Sequence, residues 1–141
     1  MAAEPLKQRP VYRNIHVTQI ARYRLPAAGV VSILHRISGV VMFLLMPFIV
    51  WMFDASVTSE ISHSGFTSVF SYGALGLPGF VFKLVALLLI WAFLHHLIAG
   101  IRHLWMDMTH AVDLGFGRSS AIVTLVLSVL LTLALGYKLF F

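Results

Sequence analysis

Three imidazoles, a guanidinium and a carboxylate stand together inside an apolar stretch, Trp91-Ala-Phe-Leu-His95-His96-Leu-Ile-Ala-Gly100-Ile-Arg102-His103-Leu-Trp105-Met-Asp107. The stretch continues a hydrophobic run from Phe80, so it reads as a membrane-spanning helix. Ionisable groups at membrane depth are costly and persist mainly where they do chemistry or bind something. His96 and His103 lie seven residues apart, which is two helical turns; at about 100° per residue they share a face, roughly 10 Å apart along the axis. A neutral imidazole facing a bundle interior can be an axial ligand for haem iron. His96 is therefore a candidate ligand of a b-type haem, with the second ligand supplied by another chain; the competing role is an interhelical hydrogen bond. His95 points about 100° away and suits packing or interhelical hydrogen bonding. His103, nearer the helix end, could approach a haem propionate, cap the helix or meet water.

A second polar group occupies Ser32, His35, Arg36 and Gly39, at helical spacing on one face. A guanidinium inside a span needs an anion or a strong acceptor. Haem propionates and a quinone carbonyl fit that need; the alternative is an arginine snorkelling to the interface. Ser32 could donate to a bound carbonyl. Asp107 could pair with a cation from another helix or stay solvated, and Lys83 is placed to snorkel.

Charged residues make up 11% of the 141 residues and hydrophobic ones 60%, with a mean hydropathy of +0.93. A soluble domain carries about 25% charged residues, so the chain is read as an all-α membrane protein. Three transmembrane helices are expected, over residues 30–53, 80–105 and 119–139, forming part of a multi-subunit bundle. Residues 1–29 are expected as a cytoplasmic arm and 30–141 as the anchor domain. Pro47 should kink the first span slightly. Residues 54–79 and 106–117 are expected as loops, the latter ending in Gly115-Phe-Gly117. Ser and Thr in the third span can bond back to their own helix and need no special role. The chain has no cysteine, which excludes disulfides, thiolate nucleophiles and iron–sulfur ligation within it.

Of the ten Lys and Arg residues, only Lys83 and Lys138 fall on the side opposite the N-terminus. The positive-inside rule then puts the N-terminus and the 106–117 loop in the cytoplasm and the C-terminus in the periplasm. The basic residues cluster at membrane ends, which argues for orientation rather than nucleic-acid binding. The polar start, about 25 residues long, is too long to precede a signal-peptide core, so a bacterial inner-membrane protein is expected. With Ser32-His35-Arg36 and His96-Arg102-His103 toward the same half of the membrane, one shared polar site follows. No dinucleotide-binding, phosphate-loop or nucleophile motif is visible. Three spans cannot enclose a haem alone, which implies an obligate complex.

Arg9-Pro10 followed by Ser32-Ile-Leu-His35-Arg36-Ile-Ser38-Gly39, together with His96-Leu-Ile-Ala-Gly100-Ile-Arg102-His103-Leu-Trp-Met-Asp107, resembles the cytochrome b large membrane-anchor subunits of succinate dehydrogenase, respiratory complex II. The resemblance covers residues 9–118; the third span matches in length and apolarity. It implies that His96 is the axial ligand of haem b, shared with a small anchor subunit. Ser32 and Arg36 would line the ubiquinone pocket, and His35, Arg102 and His103 would lie near the haem propionates. It implies partner flavoprotein and iron–sulfur subunits, which carry flavin and iron–sulfur clusters and dock on the cytoplasmic face. The chain would be a non-autonomous part of a quinone-reducing oxidoreductase. Rival expectations are the anchor of a quinol:fumarate reductase and a haem-free structural anchor.

Overall fold

The computed structural model describes residues 16–141. Most of the expected N-terminal arm, residues 1–15, lies outside the described residues. The rest of the chain is helical: α1 (Val17–Arg22), α2 (Ala27–Leu44), α3 (Met46–Val57), α4 (Glu60–Ser71), α5 (Gly79–Thr109) and α6 (Leu114–Phe140). α2, α5 and α6 are each long and apolar enough to cross a membrane, which is the expected all-α, three-span architecture.

The first span is not one gently kinked helix. It breaks at Leu45 (φ −91°, ψ 6°) and restarts as α3, with Pro47 in the first turn. Proline has no N–H to donate and its ring crowds the preceding turn, but both defects are harmless in a first turn, where the N–H has no partner anyway. The 54–79 segment is not simply a loop either. Ser59 caps α4 by accepting from the Ser62 N–H at 3.1 Å, and the Ser62 hydroxyl accepts from the Ser59 N–H at 3.0 Å. Phe66, Val69 and Phe70, spaced three and four apart, turn a half-buried face inward, and α4 packs on α3 and α5. A turn with positive φ at Gly73, Leu75 and Gly76 leads to α5. A Cβ at Gly73 would collide with the Leu77 carbonyl, so that position requires glycine.

The second loop shrinks to four residues. α5 runs on to Thr109 and ends at His110, in the left-handed conformation (φ 53°). The Asp113 carboxylate accepts from the Phe116 N–H at 2.9 Å and starts α6 there, so Gly115-Phe-Gly117 is helical.

α5 lies between α2 and α6, and α2 also touches α6. One small or β-branched residue from each, Val31, Ala99 and Ala121, is fully buried where they meet, which allows close backbone approach in the absence of a hydrophobic drive between helices in lipid. The large apolar side chains point outward instead: Phe43, Phe53, Phe93 and Leu133 are all exposed, as an acyl-chain environment permits.

Candidate functional site: the imidazole seam between α2 and α5

Two seams leave α5 on different faces. Toward α2, His96 and His103 stand two turns apart, and His35 of α2 inserts between them. The His35 and His96 rings stack with centroids 4.1 Å apart and planes at 18°; His35 and His103 lie at 5.3 Å and 51°. Glycines on the opposing helices make the room. A Cβ at Gly39 would stand 3.1 Å from His96 Cε1, and one at Gly100 would stand 3.7 Å from His35 Nε2. Each imidazole thus lies over a glycine of the facing helix.

The hydrogen bonds set the His96 tautomer. Its Nδ1 is 3.0 Å from the His35 carbonyl oxygen. A carbonyl can only accept, so Nδ1 carries the proton. Ser38, fully buried, donates its hydroxyl to the same carbonyl at 2.8 Å, and its oxygen lies 3.2 Å from His96 Nδ1. Nε2 is left with its lone pair and makes no hydrogen bond among the described residues. An imidazole held through Nδ1–H to a backbone carbonyl, with Nε2 free, is the arrangement that prepares a histidine to ligate a metal. His35 Nε2 is buried without a partner, a polar atom still owed a contact.

Ser32 is half-buried and Arg36 exposed on α2. They are one turn apart beside the imidazole seam, and neither makes a side-chain hydrogen bond among the described residues. Both keep their donors available.

Arg102 and His95 turn the other way. The Arg102 Nε donates to Ser120 Oγ at 2.9 Å and one Nη to the Gly117 carbonyl at 3.2 Å, both on α6. The structure therefore brings His35, His96 and His103 together but places the Arg102 guanidinium on the α5–α6 seam, apart from them. His95 is fully buried. Its Nδ1 lies 3.2 Å from Ser128 Oγ, whose hydrogen is given to the Leu125 carbonyl at 3.0 Å, and Trp91 stacks on its ring at 5.5 Å. The His95 Nε2, like that of His35, is buried without a partner, so what separates His95 from His96 is its place, fully enclosed on the α6 side of α5. Asp107 is exposed at the end of α5.

Sequence alone assigns no role to Ser38, Ser120 or Ser128, each of which bonds across a helix–helix seam. Thr124 and Thr132 do bond back to their own helix, at 2.9 and 2.7 Å, as expected for all the hydroxyls of that span. Ser120 and Ser128 also take a partner across the seam. The signal was present: positions 120, 124, 128 and 132 are polar at a fixed spacing of four, one stripe down a helix that is otherwise apolar from Ala121 to Tyr137.

The transmembrane subunits of succinate dehydrogenase and fumarate reductase form a family that matches residues 5–135. The succinate dehydrogenase cytochrome b556 subunit of Coxiella burnetii is 35% identical over 121 residues, 86% of this chain and 88% of that one. The cytochrome b556 subunit of the Paracoccus denitrificans enzyme is 32% identical over 92 residues, 65% of each chain. The cytochrome b560 subunit of the Reclinomonas americana enzyme is 30% identical over 92 residues, 65% of this chain and 62% of that one.

Proposed function

The chain belongs to the succinate dehydrogenase/fumarate reductase transmembrane subunit family, as the cytochrome b membrane anchor of complex II, and we propose that it holds one side of a haem b through His96 and builds part of a ubiquinone-reducing site with Ser32 and Arg36. The observation that carries the haem assignment is the His96 tautomer: Nδ1–H is fixed by the His35 carbonyl at 3.0 Å and by Ser38, which keeps the Nε2 lone pair for iron. When bound, the haem supplies a one-electron redox centre beside the quinone pocket. His103 and the unpartnered Nε2 of His35 stand beside His96 and are suited to the propionates. Among the described residues no group of three or more His, Cys, Asp or Glu side chains is arranged to hold a metal ion by itself. A single ligand from this chain and a second from a small anchor subunit fits that arrangement.

At the quinone pocket the chain contributes donors, not a complete catalytic apparatus. Arg36 supplies a permanent positive charge, and Ser32 one turn away supplies a hydroxyl that positions a carbonyl oxygen. Negative charge developing on that oxygen would meet a fixed positive charge and a hydroxyl donor, which is the electrostatic device for stabilising a transient anion. Flavin and iron–sulfur clusters in the flavoprotein and iron–sulfur subunits, docked at the arginine-rich end, would supply the electrons. Charge asymmetry supports a cytoplasmic location for that end in a bacterial inner membrane, with the C-terminus in the periplasm.

Replacing His96 with leucine tests the assignment. The reduced-minus-oxidised optical spectrum of the assembled complex should lose its haem bands while succinate oxidation by an artificial dye persists. An unchanged spectrum moves the ligand to another residue.

A further inference from the structure

The end of the bundle where the start of α2 meets the last turns of α5 and the first turn of α6 encloses a cavity of about 750 Å³. Arg24, Arg102 and Arg118 line it, together with Met106, Ile122 and Asp113. Three observations point to an anion there. Arg102 is only 8% exposed, yet both of its partners, the Ser120 hydroxyl and the Gly117 carbonyl, are neutral, and its second Nη makes no hydrogen bond among the described residues. A nearly buried guanidinium without a counter-charge is expensive in low dielectric. The α2 N-terminus opens into the same cavity through Ala27 and Ala28, and its N-cap, Pro26, offers no side chain to the first N–H groups. The only carboxylate of the lining among the described residues, Asp113, accepts from the Phe116 N–H at the start of α6.

We propose that this cavity binds the phosphate of an anionic phospholipid, with the acyl chains descending over Met106 and Ile122. Three arginines against one engaged carboxylate attract a phosphodiester and repel a choline headgroup. The apolar wall excludes a site built for a fully hydrated ion. The chain's own first fifteen residues are a poor occupant, because they bring Lys7, Arg9 and Arg13 against a single acid, Glu4. Basic recesses between spans at a cytoplasmic interface are a known form of anionic-lipid recognition.

The test uses the assembled complex, delipidated in detergent and titrated with phosphatidylglycerol or phosphatidylcholine under native mass spectrometry. Wild type should prefer phosphatidylglycerol. The double variant Arg24→Gln/Arg118→Gln should lose roughly 30-fold of that affinity, about one interfacial charge interaction per arginine. Arg102 stays in place because it also ties α5 to α6, and an unchanged helical circular dichroism spectrum shows that the variant is folded. Equal retention of the two lipids, or unchanged phosphatidylglycerol affinity in the folded double variant, overturns the proposal. Displacement of the lipid by an equal concentration of inorganic phosphate also overturns it and leaves a free-phosphate site. Phosphatidylglycerol binding by the chain alone that vanishes in the complex gives the cavity to a partner subunit, and again the proposal fails.

Discussion

Two glycines on one helix–helix contact should respond in opposite ways to the same substitution. Gly39 of α2 lies under the His96 ring, and Gly100 of α5 lies under His35. An alanine Cβ at 39 would stand 3.1 Å from His96 Cε1 and 3.4 Å from its Nδ1; one at 100 would stand 3.7 Å from its nearest neighbour, His35 Nε2. The second distance is ordinary van der Waals contact. The first requires the imidazole to move by a few tenths of an ångström, and His96 has little freedom, since its Nδ1 is bound to the His35 carbonyl at 3.0 Å and its ring is stacked on His35. Both positions are helix interior, so the gain from replacing glycine by alanine, up to about 1 kcal/mol, cancels in the comparison. What remains is the overpacking term, about 1–3 kcal/mol, against Gly39→Ala alone. The assay is thermal unfolding of the assembled complex, with haem content read from the reduced-minus-oxidised spectrum. Gly100→Ala should be neutral or slightly stabilising with full haem content. Gly39→Ala should be less stable by the overpacking term and should lose haem, because the ring that moves is the proposed ligand. Equal tolerance of both, or greater damage at Gly100, refutes the interlocked geometry.

Other consequences follow from the same contacts. Ser128→Ala should cost about 0.6–1.7 kcal/mol, the range for interhelical hydrogen bonds in membranes, because His95 Nδ1 loses its partner. Thr132→Ala, whose hydroxyl bonds only to the Ser128 carbonyl, should cost less, and the ranking is read from unfolding in mixed micelles. Ser38→Ala removes one of the two oxygens near His96 Nδ1 but leaves the His35 carbonyl, so haem should be retained with its spectrum intact. A tenfold or greater loss of haem affinity, the usual consequence of losing a ligand's supporting group, would show that Ser38 and not the carbonyl sets the tautomer. Arg36→Leu should lower succinate–quinone turnover by on the order of 10²-fold, the effect of removing one preorganised donor, while sparing succinate oxidation by an artificial dye. Equal loss of both would point to failed assembly.

The parts of the fold written in hydropathy were legible; the parts set by caps and single hydrogen bonds were not. Three apolar runs separated by polar residues predict three spans, because backbone groups in lipid must be satisfied within the segment. α4 was hidden because Ser59, Ser62 and Ser64 look like loop composition, whereas Ser59 and Ser62 are a reciprocal cap and Phe66, Val69 and Phe70 supply the half-buried stripe. Gly115 and Gly117 looked like a turn for the same reason: composition does not reveal that Asp113 caps the helix ahead of them. Pro47 was visible, but sequence alone does not say whether a proline bends a helix or begins a new one.

The polar residues show a second limit. Periodicity correctly put His96 and His103 on one face and His95 on another, since that follows from 3.6 residues per turn alone. It brought His35 near them once the antiparallel order of the first two spans was fixed. It could not direct a long side chain. Arg102 neighbours His103 in sequence, and its Cα would allow either seam, yet the guanidinium crosses to Ser120 and Gly117. A span with two polar faces needs two neighbours to satisfy them, and α5 has both: α2 receives the imidazoles, while α6, apolar between its ends except for a hydroxyl every fourth residue from Ser120 to Thr132, receives the guanidinium and His95. The hydroxyl stripe is thus the counterpart of the basic residues on α5. The third span, the one with no motif of its own, holds the central helix in the rotation that turns His96 toward α2.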